Sequence, residues 1–185
     1  MPHSKGSYFV HLKAFVLERY GEEGWQQLLA ALPEGERHTV DAALSISWVE
    51  MRTRIRVTRL LLEVLAAGDR EVLRAFGRFE ADRDLSTTQR FFLRMANPGY
   101  AIQKAGQYWR RFYDWGDLVV ERRGNNYVIA TVRESVVDDE VYCIQWMAYL
   151  LRVFELVGAK NIKVQHTHCK MRGDPHCVFE GTWSD

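Results

Sequence analysis

The first half of the chain repeats apolar side chains every three or four residues, which is the spacing of one face of an α-helix. Phe9, Leu12 and Val16 follow this spacing, and Gly21 ends the helix that they predict over residues 6–20. The same pattern predicts further helices from there to Pro33, over 48–67, from Asp69 onward, over 86–95 and from Gly99 to Trp115. The helix over 48–67 also carries four arginines, which we expect to form a solvated flank: Arg52, Arg54, Arg56 and Arg59.

After Gly116 the pattern changes to short runs rich in β-branched and aromatic residues, separated by turn residues. Four strands are predicted, over 117–123, 127–133, 160–169 and 177–183. They form two hairpins, and a helix predicted over 138–157 lies between them. Because an isolated hairpin is marginally stable, the two hairpins should share one sheet. The predicted fold class is α+β, with a helical N-terminal half packed on a small antiparallel sheet made of two hairpins with a helix between them.

Length and charge exclude several classes of protein. With 185 residues the chain has room for one compact domain, which we place over 1–185. Its 25 basic and 24 acidic side chains nearly cancel, which argues against a general electrostatic grip on nucleic acid. No apolar run reaches membrane-spanning length, and the N-terminus does not resemble a secretion signal. We therefore expect a soluble, cytoplasmic protein that binds neither nucleic acid nor a membrane.

The residues that can carry chemistry concentrate near the C-terminus, where the segment HTHCKMRGDPHC holds two of the three cysteines. An odd number of cysteines in a reducing compartment argues against a disulfide framework. A hairpin can bring Cys169 and Cys177 together, and the preceding helix can place Cys143 at the same end of the sheet. Zinc prefers four ligands in a tetrahedron, and Cys3His is one of its structural sets. The spacing therefore permits a zinc site.

The spacing leaves the fourth ligand open among three histidines. His166 and His168 point the same way on a regular strand and Cys169 points the other way, so the site requires a bend or bulge. His176 is the third candidate. Two alternatives need no metal. In one, the helix cysteine is a buried core residue and the hairpin cysteines are adventitious; in the other, the hairpin cysteines form a redox pair.

The segment 143–183, with its helix cysteine, HTHC, RGDPHC and VFEGTW, resembles the C-terminal part of the 4-vinyl-reductase-type small-molecule-binding domain of bacterial phenol- and toluene-sensing regulators. The resemblance implies a zinc ion held by a helix cysteine, a ligand shortly before a second cysteine, that cysteine, and a third one across the hairpin. The matching positions here are Cys143, His166, Cys169 and Cys177. Histidine stands where the aromatic sensors use glutamate. The implied ion is a structural Zn²⁺, since four protein ligands leave no open position for catalysis.

The N-terminal segment KGSYFVHLKAFVLERYGEEGWQQLLAAL is similar to the first helices of haem nitric-oxide/oxygen-binding domains, whose superfamily also includes subunits of the TRAPP trafficking complex. A haem sensor of this kind needs an axial histidine in the middle of the chain and a Tyr-x-Ser-x-Arg motif. No histidine lies between His38 and His166, and the motif does not occur. We therefore do not expect haem of that type, and an atypical haem-based gas sensor is kept only as an alternative.

An aromatic cluster precedes the first predicted hairpin. Trp109 and Tyr113 lie four residues apart on one helix face, and in the phenol sensors the pocket lies between the central helices and the sheet. We expect these two residues to line a pocket for a small hydrophobic or aromatic molecule. Ordinary core packing explains the same spacing and is the alternative.

The resulting hypothesis is a non-catalytic, zinc-containing sensor that binds a small apolar or aromatic ligand. Its signal would pass through a homodimer or to a signalling protein partner. The rival hypothesis is a scaffold or adaptor subunit with a structural zinc and no ligand. The sequence contains no glycine-rich phosphate loop, dinucleotide fingerprint or nucleophile elbow, so we do not expect an enzyme.

Overall fold

Six α-helices and six β-strands occupy the part of the chain that the computed structural model describes, residues 1–85 and 98–184. The helices are Ser7–Ala31 (α1), Glu34–Asp41 (α2), Met51–Leu60 (α3), Glu71–Asp84 (α4), Pro98–Phe112 (α5) and Glu140–Leu156 (α6). The strands are His3–Lys5 (β1), Trp48–Glu50 (β2), Asp117–Arg122 (β3), Tyr127–Arg133 (β4), Lys160–His168 (β5) and Cys177–Ser184 (β6). This arrangement confirms the predicted α+β class. The helix predicted over 86–95 lies outside the described residues.

The larger sheet has four strands in the order β3-β4-β6-β5, and every neighbouring pair is antiparallel. Both predicted hairpins are therefore present and share one sheet, as expected. Strand β6 lies between β4 and β5, with Ala130 opposite Phe179 and His166 opposite the same phenylalanine on the other side. Helix α6 connects the two hairpins, so its first turn and the loop of the second hairpin can lie at one end of the sheet.

The N-terminal helices follow the predicted pattern with one addition. Helix α1 is interrupted at Gly21, whose φ of 71° and ψ of −173° are not helical, and this is the predicted break. The second predicted helix ends before Pro33, but Pro33 also precedes a short helix that the periodicity did not predict. Glu34 and Glu36 lie in the first turn of α2, where negative charge stabilises a helix start.

The predicted helix over 48–67 was wrong at its beginning. Residues Trp48–Glu50 form a strand that pairs with His3–Lys5 in a separate two-stranded sheet, and the helix starts at Met51. A strand of three residues has too few positions to show a period, and its partner lies more than forty residues away in sequence. The last turn, Leu61–Leu65, is π-helical rather than α-helical.

The prediction that all four arginines of this helix are solvated was also wrong at one position, Arg54. The side chain of Arg54 is 4% exposed, whereas Arg59 is about half exposed. Arg54 contacts Glu80 and the ring of Tyr8, so its charge and its stem are both buried against the other helices. The sequence pattern could not separate the two cases because an arginine stem covers apolar surface in either one.

Helices α4 and α6 cross at close range and join the two halves of the molecule. Gly77 lies at the crossing, where a Cβ atom would stand 2.2 Å from the carbonyl oxygen of Gln145. The N-terminal helices bury Phe9, Trp25 and Phe76 on one side of this crossing. A second buried cluster, which contains all three cysteines, lies between α5, α6 and the sheet. Among the described helices, none is long and apolar enough to cross a bilayer.

We expect Gly77→Ala to destabilise the fold by about 1–3 kcal/mol, because the added methyl group overpacks the α4–α6 crossing. Gly35→Ala is the matched control, since a Cβ there meets nothing within 4 Å and alanine favours the helix. Urea unfolding of both variants measures the free energy difference. Equal stabilities would show that the crossing is looser than described.

Candidate metal centre

Cys143 lies in the first turn of α6, and the start of this helix is fixed from two sides. The side chain of Asp139 accepts a hydrogen bond from the backbone N–H of Val141 at 3.0 Å, which caps the helix. The same carboxylate forms an ion pair with Arg59 on α3. The helix begins at Glu140, so Cys143 is its fourth residue. The side chain of Cys143 packs against the sheet, and 5% of the residue is exposed.

A bulge in β5 gives His166 and Cys169 a common direction. His166 pairs with Phe179 and His168 pairs with Val178, so Thr167 is an extra residue in β5. The predicted bulge is therefore present. Without it, the alternation of a regular strand would point these two side chains to opposite faces. The imidazole of His166 also stacks on the ring of Phe179, with centroids 4.3 Å apart and planes 7° apart.

The loop after β5 is held in a tight turn that fixes the two hairpin cysteines. The backbone N–H of Cys169 donates to Asp174 at 2.7 Å, and the carbonyl oxygen of Cys169 accepts from Arg172 and Asp174. Gly173 has a φ of 94°, a left-handed conformation that favours glycine. The turn returns the chain to Cys177, the first residue of β6.

One ligand atom from each of Cys143, His166, Cys169 and Cys177 lies within 4.8 Å of the other three. In a tetrahedral zinc site, bonds of about 2.3 Å would separate the sulfur atoms by about 3.8 Å, so only a small contraction is needed. The three cysteines are at most 6% exposed. The Nε2 atom of His166 is buried and has no hydrogen-bond partner among the described residues, so its lone pair is free to bind an ion.

The thiol groups are close enough to share protons. A hydrogen bond from Cys143 lowers the pKa of Cys177 to about 4, with a smaller contribution from His166, and the same contact raises the pKa of Cys143. A thiolate beside an imidazole is the state in which cysteine binds zinc. A divalent ion would replace the shared protons and bring all three sulfur atoms to the thiolate form.

The other two candidate histidines lie outside this cluster. His168 is exposed, and its Nδ1 atom is 3.3 Å from Thr167 Oγ1. His176 belongs to the same loop, but its imidazole is not among the four converging groups. Of the three histidines that the spacing left open, the geometry therefore brings His166 to the cysteines.

The two predicted pocket residues are buried side by side in the core. Trp109 and Tyr113 are 4% and 5% exposed, and their ring centroids are 4.2 Å apart. The indole N–H of Trp109 donates to the carbonyl oxygen of Trp115 at 2.8 Å, and the hydroxyl of Tyr113 accepts from Tyr142 at 3.2 Å. Neither residue lines the cavity of about 110 Å³ beside β2 and α3, nor the cavity of about 20 Å³ between α6 and the sheet. Their role as pocket walls remains a prediction.

A buried polar cluster was missed in the sequence. Arg54, Glu80 and Gln145 join α3, α4 and α6, with Glu80 accepting from both of the other side chains. The guanidinium of Arg54 also lies 3.9 Å from the ring centroid of Tyr8. The sequence did contain a signal for this cluster: Glu80 lies four residues after Phe76, on the face that α4 buries. An acidic residue at a core position requires a partner.

Comparisons with known proteins place the fold but not the family. No family model and no curated protein matches the chain. Among solved structures, an H-NOX protein from S. oneidensis in the Fe(II)NO state is 16% identical, with a TM-score of 0.74 over 98% of this chain and 99% of that one. An unliganded Fe(II) H-NOX protein from K. algicida is 12% identical, with a TM-score of 0.71 over 98% and 97%. The IWP-051-bound H-NOX from Shewanella woodyi is 14% identical, with a TM-score of 0.68 over 97% and 94%. The chain therefore has the fold of these H-NOX proteins, which is the fold that the resemblance of its N-terminal segment implied.

The donor set of this chain does not fit a haem held by a central imidazole. Residues 39–165 contain no histidine, so α3 to α6 offer none. Between α5 and α6, the described aromatic side chains pack against one another. The ring centroid of Trp109 lies 5.2 Å from that of Trp115 and 5.8 Å from that of Trp146. The described histidine that meets a soft donor set is His166, among the cysteines.

We expect His166→Ala to reduce zinc affinity by on the order of 10–100-fold or more, because it removes one of four ligands. His168→Ala is the matched control on the same strand and should bind zinc as the unaltered chain does. Zinc stoichiometry and affinity are measured by native mass spectrometry and competition with a chromophoric chelator. If the His168 variant lost zinc and the His166 variant kept it, the assignment of the fourth ligand would be wrong.

Proposed function

We propose that the chain is a non-catalytic sensor domain of the H-NOX fold, formed by residues 1–185 as one unit, with a structural Zn²⁺ on Cys143, His166, Cys169 and Cys177. The observation that carries this proposal is the convergence of four ligand atoms within 4.8 Å. Zinc at this site supplies structural cross-linking, since four protein ligands leave no position for an activated water. The resemblance of the C-terminal segment to 4-vinyl-reductase-type domains supports the same ligand set.

The proposed ion joins the start of one helix to the turn of the last hairpin. Cys143 is on α6, His166 is on the bulged strand β5, and the other two ligands flank the hairpin loop. Because the ligands come together only in the folded chain, zinc binding contributes directly to the free energy of folding. The ion would therefore fix how α6 lies on the sheet, and α6 is the helix that contacts α4 in the N-terminal half.

The proposed ligand is a small apolar or aromatic molecule that binds against α5 and α6. Trp109, Tyr113 and Trp146 present a nearly continuous buried aromatic surface there, which suits such a ligand. The polar atoms of Trp109 and Tyr113 now bond within the protein, so a ligand must displace some of these contacts. We propose that the resulting shift of α5 or α6 is reported through a homodimer or to a signalling protein partner.

An atypical haem-based gas sensor is the second candidate, and the solved structures favour it. The matched H-NOX proteins are described in Fe(II), Fe(II)NO and Fe(II)CO states, and they cover nearly the whole chain. The fold likeness supports this candidate more directly than it supports an apolar effector. The absence of histidine from residues 39–165 argues against it, because the haem would need a different axial ligand.

A binding experiment on the purified full chain separates these candidates. We expect Trp109→Ala to weaken binding of the best ligand from a panel of phenols and fatty acids by on the order of tenfold or more, with the zinc content unchanged. Trp48→Ala is the matched control, because Trp48 is an exposed tryptophan on β2. Ligand affinity is measured by calorimetry and zinc by native mass spectrometry, which also gives the oligomeric state.

Haem is added to the same protein as a second probe. A stoichiometric complex with a Soret band would favour the gas sensor over the apolar-ligand sensor. Zinc without binding of haem or of any panel member would overturn both and favour the scaffold, whose interior is filled by its own side chains.

A further inference from the structure

Two carboxylates lie one turn apart on the buried face of α4 and form two hydrogen-bonded links to α6. Glu80 accepts from Gln145 at 2.6 Å, and Asp84 accepts from Tyr149 at 3.1 Å. Gln145 and Tyr149 are themselves one turn apart, so the four side chains form a ladder across the helix crossing. Gly77 brings the two backbones together one turn before Glu80. The carboxylates therefore sit where the two halves of the molecule are joined most closely.

Among the described residues, the charges around this pair do not balance if both carboxylates are ionised. The titratable and charged groups that face the pair come from every helix packed against it: Tyr8 and His11 on α1, Arg54 on α3, Arg83 on α4 itself, Tyr113 after α5, and Tyr142 and Tyr149 on α6. Among the described residues, Arg54 is the buried cation within reach of Glu80, at 3.4 Å. The Nδ1 atom of His11 lies 3.5 Å from Oδ1 of Asp84. Burial and the charges of Arg83 and Arg54 lower the pKa of His11 to about 4, so its imidazole is neutral at pH 7. Among the residues that the structure describes, two negative charges then share one buried positive charge in a poorly solvated site.

Two polar atoms beside Glu80 are left without partners in the arrangement described. The Oε1 atom of Gln145 and the Nε atom of Arg54 are buried, and neither has a hydrogen-bond partner among the described residues. In this arrangement the amide nitrogen of Gln145 donates to Glu80, which suits an ionised carboxylate. If Glu80 carries a proton, a flip of the Gln145 amide lets Oε1 accept that proton's hydrogen bond. The Glu80–Gln145 link thus has two hydrogen-bonded states that differ by one proton.

We propose that Glu80 and Asp84 share one proton in the folded protein, and that loss of this proton loosens the α4–α6 crossing. The pH then sets how tightly the N-terminal helices pack against α6, the helix that carries Cys143. The device lies at the crossing of these two helices and requires neither the metal nor a bound ligand. Its failure would leave the proposed sensor function untouched.

The direction of the pH effect follows from the two carboxylates. Burial raises the pKa of Glu80 to about 7, although Arg54 opposes the shift, and burial raises the pKa of Asp84 to about 6. A carboxyl group whose pKa is higher in the folded state than in the unfolded state stabilises the fold below its unfolded pKa, and this stability is lost as pH rises through the folded value. The shift of Glu80 corresponds to a loss on the order of a hundredfold in the folded-to-unfolded ratio between about pH 4.5 and about pH 7. His11 acts in the opposite sense below about pH 6.5, so comparison with a variant isolates the carboxylates.

The direct test is infrared difference spectroscopy of the purified full chain between about pH 6 and about pH 8.5, bracketing the titration. We expect the carbonyl band of a buried protonated carboxyl group at the lower pH, its loss at the higher pH, and its absence in Glu80→Gln. Glu71→Gln is the matched control, because Glu71 is an exposed acid in the first turn of the same helix and should leave the band in place. No band in the unaltered chain, or a band that persists in both Glu80→Gln and Asp84→Asn, would overturn the proposal.

A second measurement tests whether loss of the proton loosens the α4–α6 crossing. Hydrogen exchange of α6 amides, corrected for the intrinsic effect of pH, should accelerate above about pH 7 in the unaltered chain and in Glu71→Gln, but not in Glu80→Gln. Asp84→Asn serves if Glu80→Gln does not fold. Exchange rates that rise equally in all variants would show that the shared proton does not hold the crossing.

Discussion

Four side chains from one helix and one hairpin can meet only if the helix begins where the hairpin turns. This constraint organises the C-terminal half of the molecule. Asp139 fixes where α6 starts, the bulge at Thr167 turns His166 toward Cys169, and the turn at Gly173 returns the chain to Cys177. Each of these local features restricts the backbone: the cap fixes the first residue of the helix, the bulge interrupts the strand pairing, and the turn favours glycine. Their agreement on one small volume is what makes a bound ion the simplest physical account of the site.

The same helix transmits this constraint to the N-terminal half. Its N-cap carboxylate pairs with Arg59, its second turn lies against Gly77, and its Gln145 bonds to Glu80 inside the protein. A change at the cysteines and a change among the buried carboxylates would therefore act on one rigid element. For a domain of the H-NOX fold, this offers a route by which events in the sheet reach the helices without a large rearrangement of either.

Much of the fold could be predicted from the sequence because its long elements are regular. The strand ends near Asp117, Arg133 and Lys160 were predicted to within one or two residues, since alternation and turn residues agree there. The pairing of β1 with β2 could not be predicted, because three-residue strands have no measurable period. Within the site, the three cysteines were evident from their spacing. Spacing alone required a bend or bulge near Cys169 but left three histidines open, and the resemblance to 4-vinyl-reductase-type domains indicated His166. The burial of Arg54 could not be predicted, because it depends on an acidic partner in another helix.

The central claim is that one divalent ion is bound by three sulfur atoms and one nitrogen atom. X-ray absorption at the zinc edge of the purified protein tests it most directly. The account predicts one zinc per chain with about three sulfur neighbours near 2.3 Å and one nitrogen neighbour near 2.0 Å. A spectrum dominated by oxygen or nitrogen neighbours, or a protein that takes up no zinc when its thiols are reduced, would contradict it.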